Sequence, residues 1–187
     1  MTRMKQEKLY KVLDKNGCAC HGGFGQWSLP AGGKPGQWMP PIDNIRPCER
    51  GYHLCCREDL TRWLHATIYE AEYRGKHINL DHKIVVSEAR LIRKLDLWND
   101  KTARLFAADC AEMVLPIWEK QYPEDKRPRQ AIQATRDYAN GKITEGELKK
   151  ASDAAYSTAR NAAWSAVYNA AYSAACSMAW SAADGAA

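Results

Sequence analysis

A four-residue beat dominates the C-terminal part of this chain. From Ala154 to Ser181 it reads AAYS-TARN-AAWS-AVYN-AAYS-AACS-MAWS, seven tetrads in which the fourth position is always Ser or Asn. The third position is Tyr156, Arg160, Trp164, Tyr168, Tyr172, Cys176 or Trp180. Alanine is the best helix former, and neither Gly nor Pro interrupts the stretch before Gly185, so the segment is predicted to be helical. A helix turns about 100° per residue, so each step of four overshoots a turn by about 40°. Over the six steps from Tyr156 to Trp180 the large side chains drift by roughly 240° and cannot line one face. Such a helix must bend, break or be covered on several sides. Trp164, Tyr168, Tyr172 and Trp180 are therefore read as packing or partner-binding residues.

Thr144-x-x-Glu147 has the form of a capping box and opens this last helix. Unbroken from there to Ala183, it would be about 60 Å long at about 1.5 Å per residue. Two shorter helices precede it. One is predicted at about Lys101–Glu119, with Leu105, Cys110, Met113, Val114 and Ile117 on one face and Pro116 kinking it or starting its last turn. The other runs from about Asp125 to the Asn140-Gly141 stop, with Pro128 in its first turn. Two helices of that length cover only half of the third, so a homo-oligomer joined through the C-terminal helix is expected.

The first half follows another grammar. Strands are predicted at about Leu9–Leu13, Gln26–Leu29, Gly51–Leu54, Thr67–Glu72 and Lys83–Arg93, with one helix at Arg57–His65. The Pro30–Pro41 segment, PAGGKPGQWMPP, reads as a loop, since its prolines are unsuited to a central strand. The fold class is thus α+β: a small mixed sheet domain at residues 1–97, rich in Cys and Gly, followed by a helical bundle at 98–187.

Charge and composition narrow the function. Residues 1–97 carry 16 Lys/Arg against 11 Asp/Glu, and residues 98–187 carry 11 of each, so the net +5 lies wholly in the first half. This mild excess, without an aromatic-basic stripe, disfavours direct nucleic-acid binding. No run of 18 apolar residues suggests a membrane span, and the polar start lacks a signal-peptide pattern, so a cytoplasmic location in a bacterial host is expected. Seven cysteines, an odd number, argue against a full disulfide framework.

Three constellations could carry chemistry. Cys18, Cys20, His21, Cys48, His53 and Cys55 could supply a zinc site, although neither half is a Cys-x-x-Cys knuckle, and thiols buried beside loops are the simpler reading. Tyr52 and His53 on one strand, with Glu70 and Glu72 on the next, offer the His, Tyr and Glu types with which ADP-ribosyltransferases grip NAD; a solvent-facing strand commonly carries the same residues. Asp109 and Glu112 could form structural ion pairs with Arg127 and Arg129 across the first helix-helix contact. The Gly runs at 21–25 and 31–36 fail the P-loop pattern, because Lys34 is followed by Pro35. No resident cofactor is expected beyond the zinc alternative.

Two resemblances bear on these residues. RLFAADCAEMVLPIWE from Arg104, DKRPRQAIQATRDYANGKIT from Asp125, and the Ala-rich tail resemble the helical immunity-protein domain of bacterial toxin–immunity systems. The most specific parts are Arg104, Asp109-Cys-Ala-Glu112, and Arg127-Pro128-Arg129 before Ala131-Ile132. This resemblance covers roughly residues 101–183 and implies an all-helical protein-binding module without catalytic residues. In the first half, CERGYHLC at 48–55, Leu60, IYEAEYRG at 68–75 and the strand from Lys83 through Arg90 are similar to an uncharacterised α+β domain of phages and other mobile elements. The Pro-rich insert departs from that pattern. Together these favour a non-enzymatic accessory protein that inhibits a protein partner, either a toxin or a host defence complex such as a CRISPR effector. The alternative is an ADP-ribosyltransferase-like enzyme in the first half.

Overall fold

The computed structural model describes residues 8–162. The chain divides into two compact units between Ala103 and Arg104. The fold is α+β: an antiparallel four-stranded sheet in the first unit and three helices in the second. The tetrads from Trp164 onward lie outside the described residues, and with them the expectations placed on Trp164, Tyr168, Tyr172 and Trp180.

The sheet is built from β1 (Leu9–Leu13), β2 (Tyr52–Leu54), β3 (Thr67–Leu80) and β4 (Lys83–Lys94), in the spatial order β1-β3-β4-β2. β3 and β4 form a long hairpin that turns at Asp81-His82, with Leu80 opposite Lys83. Alternation along the strands sorts the apolar side chains onto two faces. Leu9, Leu13, Leu54, Tyr69, Ala71, Ile84, Val86, Ala89 and Leu91 bury one face, joined by Trp27. Tyr10, Val12, Cys55 and Ile68 form a smaller cluster with Leu60, Trp63 and Trp98 packed against it. The outer edges of the sheet also meet: the Tyr10 and Cys55 amides each donate to the other's carbonyl, at 2.9 and 3.0 Å.

The proline-rich segment takes up the edge of β4 that the three-residue β2 leaves open. The amides of Gly36, Met39 and Ile42 donate to the carbonyls of Leu91, Ala89 and Ser87, at 2.8, 2.9 and 2.9 Å. The donors fall at every third residue, and Pro40 and Pro41 lie between two of them, so neither proline costs a sheet bond. A Cβ on Gly36 would stand 2.0 Å from the Ser28 carbonyl oxygen, which fixes glycine there. Trp38 is held by two guanidinium groups, Arg74 at 4.4 Å and Arg90 at 4.7 Å from its ring centre. An unprotected sheet edge invites pairing with other chains, and this segment blocks one.

Three sequence expectations in this half differ from the fold. The strand expected at Thr67–Glu72 runs on to Leu80, paired along its length with β4. Gln26–Leu29 is no strand; a single bridge between Cys18 and Gln26 suffices to drop Trp27 into the core, where it is 4% exposed. Arg57–His65 yields only the 3-10 turn Leu60–Arg62, because Leu60, Trp63 and Leu64 are consumed in packing against the smaller cluster.

The helices are α1 (Asp100–Gln121), α2 (Arg127–Ala139) and α3, helical from residue 145 to the last described residue, 162. Pro116 removes one amide from α1 without ending it, and the helix continues to Gln121. The α2 stop is a Schellman motif: Lys142 N–H donates to the Asp137 carbonyl and Gly141 N–H to that of Tyr138, with Gly141 at φ 71°. At the start of α3 the Thr144 amide donates to the Glu147 carboxylate at 2.8 Å, and the Glu147 amide to Thr144 Oγ1 at 3.3 Å. The capping box read from the sequence is therefore formed.

Candidate functional site

Local hydrogen bonds disperse the six residues weighed as zinc ligands. Cys18 Sγ donates to Gln26 Oε1 at 3.0 Å, and Cys20 Sγ reaches the Val12 carbonyl at 4.0 Å. His21 Nε2 lies 2.7 Å from the Trp63 carbonyl oxygen. Cys48 Sγ accepts from Lys83 Nζ at 3.2 Å, while the Cys48 amide donates to His53 Nε2 at 3.1 Å. Burial pushes the Cys55 thiol up to about 12, assisted by Asp59 and Cys56, and its Sγ faces the Tyr10 carbonyl at 3.8 Å. Among the described residues no three His, Cys, Asp or Glu side chains are grouped to hold a metal ion.

Nor do Tyr52, His53, Glu70 and Glu72 converge. The sequence reading placed the glutamates on the strand next to β2, but β4 stands between β2 and β3. Glu70 lies between Arg93 at 2.8 Å and Lys8 at 3.6 Å, and Glu72 is bonded by Arg90 Nε. Tyr52 packs against the larger cluster beside Tyr69, Ala71 and Tyr73, whereas Glu70 and Glu72 alternate with those residues and face the other way. The Tyr52 hydroxyl donates to the Pro40 carbonyl at 2.8 Å; burial, with Glu88 nearby, raises its pKa. These contacts brace the sheet and its proline-rich edge.

His53 instead gathers cations. Lys11 Nζ donates to the His53 carbonyl at 3.2 Å, and burial lowers the Lys11 pKa to about 8. Burial, then Lys83 and Lys11, depress the His53 ring. With Nε2 accepting the Cys48 amide, its proton belongs on Nδ1. Lys11 and Lys83 were missed as a pair in the sequence. The available signal was the lysine at the centre of the apolar strand LYKVL.

In the helical unit, α1 and α2 run antiparallel about the turn at residues 122–126. Residues equidistant from that turn meet. Arg129 grips Glu119 with two bonds of 2.7 Å, and Arg136 Nη2 bonds Glu112 at 2.6 Å and Asp109 at 2.8 Å. Arg104 stacks on the Tyr138 ring at 4.8 Å. The expected pairing of Asp109 and Glu112 with Arg127 and Arg129 is therefore replaced. Taking Arg129 to Glu112 would need a slide of seven residues, about 10 Å along the helix. Arg127 binds Asp125 instead, at 2.8 and 3.0 Å, at the entry to α2. Arg136 holds the Glu112 carboxyl below the ordinary glutamate range.

The same geometry corrects the inner face of α1. The residues buried with Ile132 are Ala108 and Leu115, with Ala111 alongside, and not the stripe expected to pack. Cys110, Met113, Val114 and Ile117 recur at i, i+3, i+4 and i+7 and stand exposed, Met113 at 81% and Ile117 at 74%. Small alanines let α2 approach α1 closely, and the ion pairs fix its side of approach. Periodicity located an apolar face correctly, but α1 has two such stripes, and the narrower one is buried.

Residues 93–184 match the family model described as Imm-5 like putative immunity protein. The match takes in all three helices and just under half of the chain, so the helical unit is immunity-like. A search of curated proteins and a search of solved structures each found no match. Among the described residues, no helix is long and apolar enough to cross a membrane.

Proposed function

We propose that the chain is a non-enzymatic inhibitor of a protein partner, and that α1 presents the surface that docks. The observation that carries this reading is the exposed Cys110, Met113, Val114 and Ile117 stripe within an immunity-like match. A helix face of i, i+3, i+4, i+7 apolar residues suits insertion into an apolar groove, where such anchors dominate the binding energy. The braced helix pair beneath it supplies rigidity: Arg136 and Arg129 lock α1 to α2, so little ordering remains to be done on binding. The partner favoured by the immunity-like match is a toxin protein; a host defence complex, as in anti-CRISPR inhibition, is the second candidate. The first half suggests an accessory protein of a phage or other mobile element, on the strength of its sequence resemblance alone. Self-association through the tetrads belongs to the same proposal; size-exclusion chromatography with light scattering should return a mass above one chain, and a monomer at micromolar concentration would remove it.

The test is inhibition of a purified toxin recovered from the same host. Stoichiometric, reversible inhibition without a mass change on the toxin supports the reading, and so does its loss in Met113→Asp/Ile117→Asp. Turnover, meaning one molecule disabling many, would sink it and return attention to an enzymatic function of the sheet unit. His53→Ala is expected to leave inhibition intact.

A further inference from the structure

A cavity of about 630 Å³ opens in the sheet unit between the glycine-rich loop at 21–25 and the turn at 48–51, with β1 and β2 as its floor. Its charge is one-sided. Lys11, Lys83 and Arg50 line it against a single carboxylate, Glu49, which itself lies 3.5 Å from Arg46. Among the described residues neither lysine has a carboxylate within ion-pair distance. Each ammonium is set against an indole instead: Lys11 Nζ lies 5.1 Å from the Trp27 ring centre and Lys83 Nζ 5.4 Å from that of Trp63. Lys11 Nζ donates to the His53 carbonyl at 3.2 Å, and Lys83 Nζ to Cys48 Sγ at 3.2 Å, whose own amide donates to His53 Nε2 at 3.1 Å, so both ammoniums lie beside His53. A cation withdrawn from water without a counter-charge is destabilising, and a bound anion relieves that cost. The glycine loop adds flat, open backbone: Gly22 and Gly25 take φ values of 73° and 128°, and a Cβ at either would meet nothing within 4 Å. Gly51 closes the other rim, at φ 135°, where a Cβ would stand 2.5 Å from Val85 Cγ1.

We propose that this cavity binds a small organic anion, one that joins a planar ring to a phosphate or carboxylate. Lys11 and Lys83 hold the anionic group, and the half-buried indole of Trp63 offers apolar surface to the ring. The site is separate from the α1 surface and stands or falls independently of it.

The experiment is a titration of the full chain with phenyl phosphate and with benzoate, alongside neutral phenol and benzamide, read by amide chemical shifts of residues 11, 22–25, 53 and 83. One or both anions should bind at millimolar affinity or tighter, with the neutral analogues about tenfold weaker. Phenyl phosphate alone would assign the phosphate class, and benzoate alone the carboxylate class. Lys83→Met, a partly exposed position, should weaken binding about tenfold while leaving the remaining spectrum unchanged. Binding should also weaken as pH rises from 7 to 9, and Lys11→Met should remove that dependence. If neither anion shifts these amides below about 10 mM, the proposal fails. It fails equally if neutral analogues bind as well, or if Lys83→Met binds like the unaltered chain.

Discussion

Leu115 and Ile117 sit two residues apart on α1, and truncating each to alanine should give opposite results. Leu115 is 4% exposed and packs with Ala108 and Ile132. Removing a buried leucine side chain costs about 2–5 kcal/mol, and the small alanine-lined core around this one points to the lower half of that range. Ile117 is 74% exposed, so only about a quarter of its burial worth is at stake. From about 1.5–3 kcal/mol for a fully buried side chain, that is about 0.4–0.8 kcal/mol. The better helix propensity of alanine offsets several tenths of it. The expected outcome is a loss of about 2–3 kcal/mol for Leu115→Ala and a change within about 0.5 kcal/mol for Ile117→Ala. Urea denaturation followed at 222 nm, with hydrogen exchange on the α1 amides to localise the effect, reads both. If Ile117→Ala destabilises as much as Leu115→Ala, the exposed stripe is in fact buried and the docking surface inferred from it does not exist.

Three further outcomes follow from the charges and thiols. Because Arg136 lowers the Glu112 pKa from 4.5, that carboxylate stabilises the folded helical unit above the unfolded value, and the contribution is lost as pH falls through the folded one; Arg136→Met should therefore flatten the acid limb of a pH–stability profile. Lys11 is the reverse case: its folded pKa of about 8 lies below 10.5, so the unfolded chain binds more protons in that window and stability rises with pH between the two values. Lys11→Met should remove that rise and stabilise the sheet unit at neutral pH, as read by thermal unfolding across pH 7–10. Finally, the exposed Cys48 and Cys110 should alkylate quickly in the native protein, and Cys55, buried and held near 12, only after unfolding, as mass-spectrometric labelling would show.

Local signals were legible in this sequence, and long-range choices were not. LYKVL, the Lys83 strand and the Asn140-Gly141 stop follow from patterns a few residues wide, so β1, β4 and the end of α2 could be read directly, whereas the outer half of β3, from Tyr73 to Leu80, was not read. Strand order could not: β2 and β3 are successive strands in the chain, yet β4 inserts between them and separates Tyr52 and His53 from Glu70 and Glu72. Trp27 reads as part of a strand because it is apolar among alternating neighbours, but its depth in the core comes from the loop around it. The proline-rich segment lacks every strand signal and still bonds the sheet edge, since Gly36, Met39 and Ile42 supply the free amides and none of those positions is a proline. In the helical unit, an antiparallel hairpin dictates that partners be equidistant from the turn, and that rule alone would have assigned Glu112 to Arg136.

The central claim is that the helical unit inhibits by occupying a partner through α1. Titrating the purified chain into an activity assay of its toxin tests that most directly. The account predicts a linear fall to zero activity at a fixed stoichiometric ratio, shifted far to the right by Met113→Asp/Ile117→Asp with folding unchanged. Inhibition at a small fraction of that ratio, or an unaltered end point in the double variant, would contradict it.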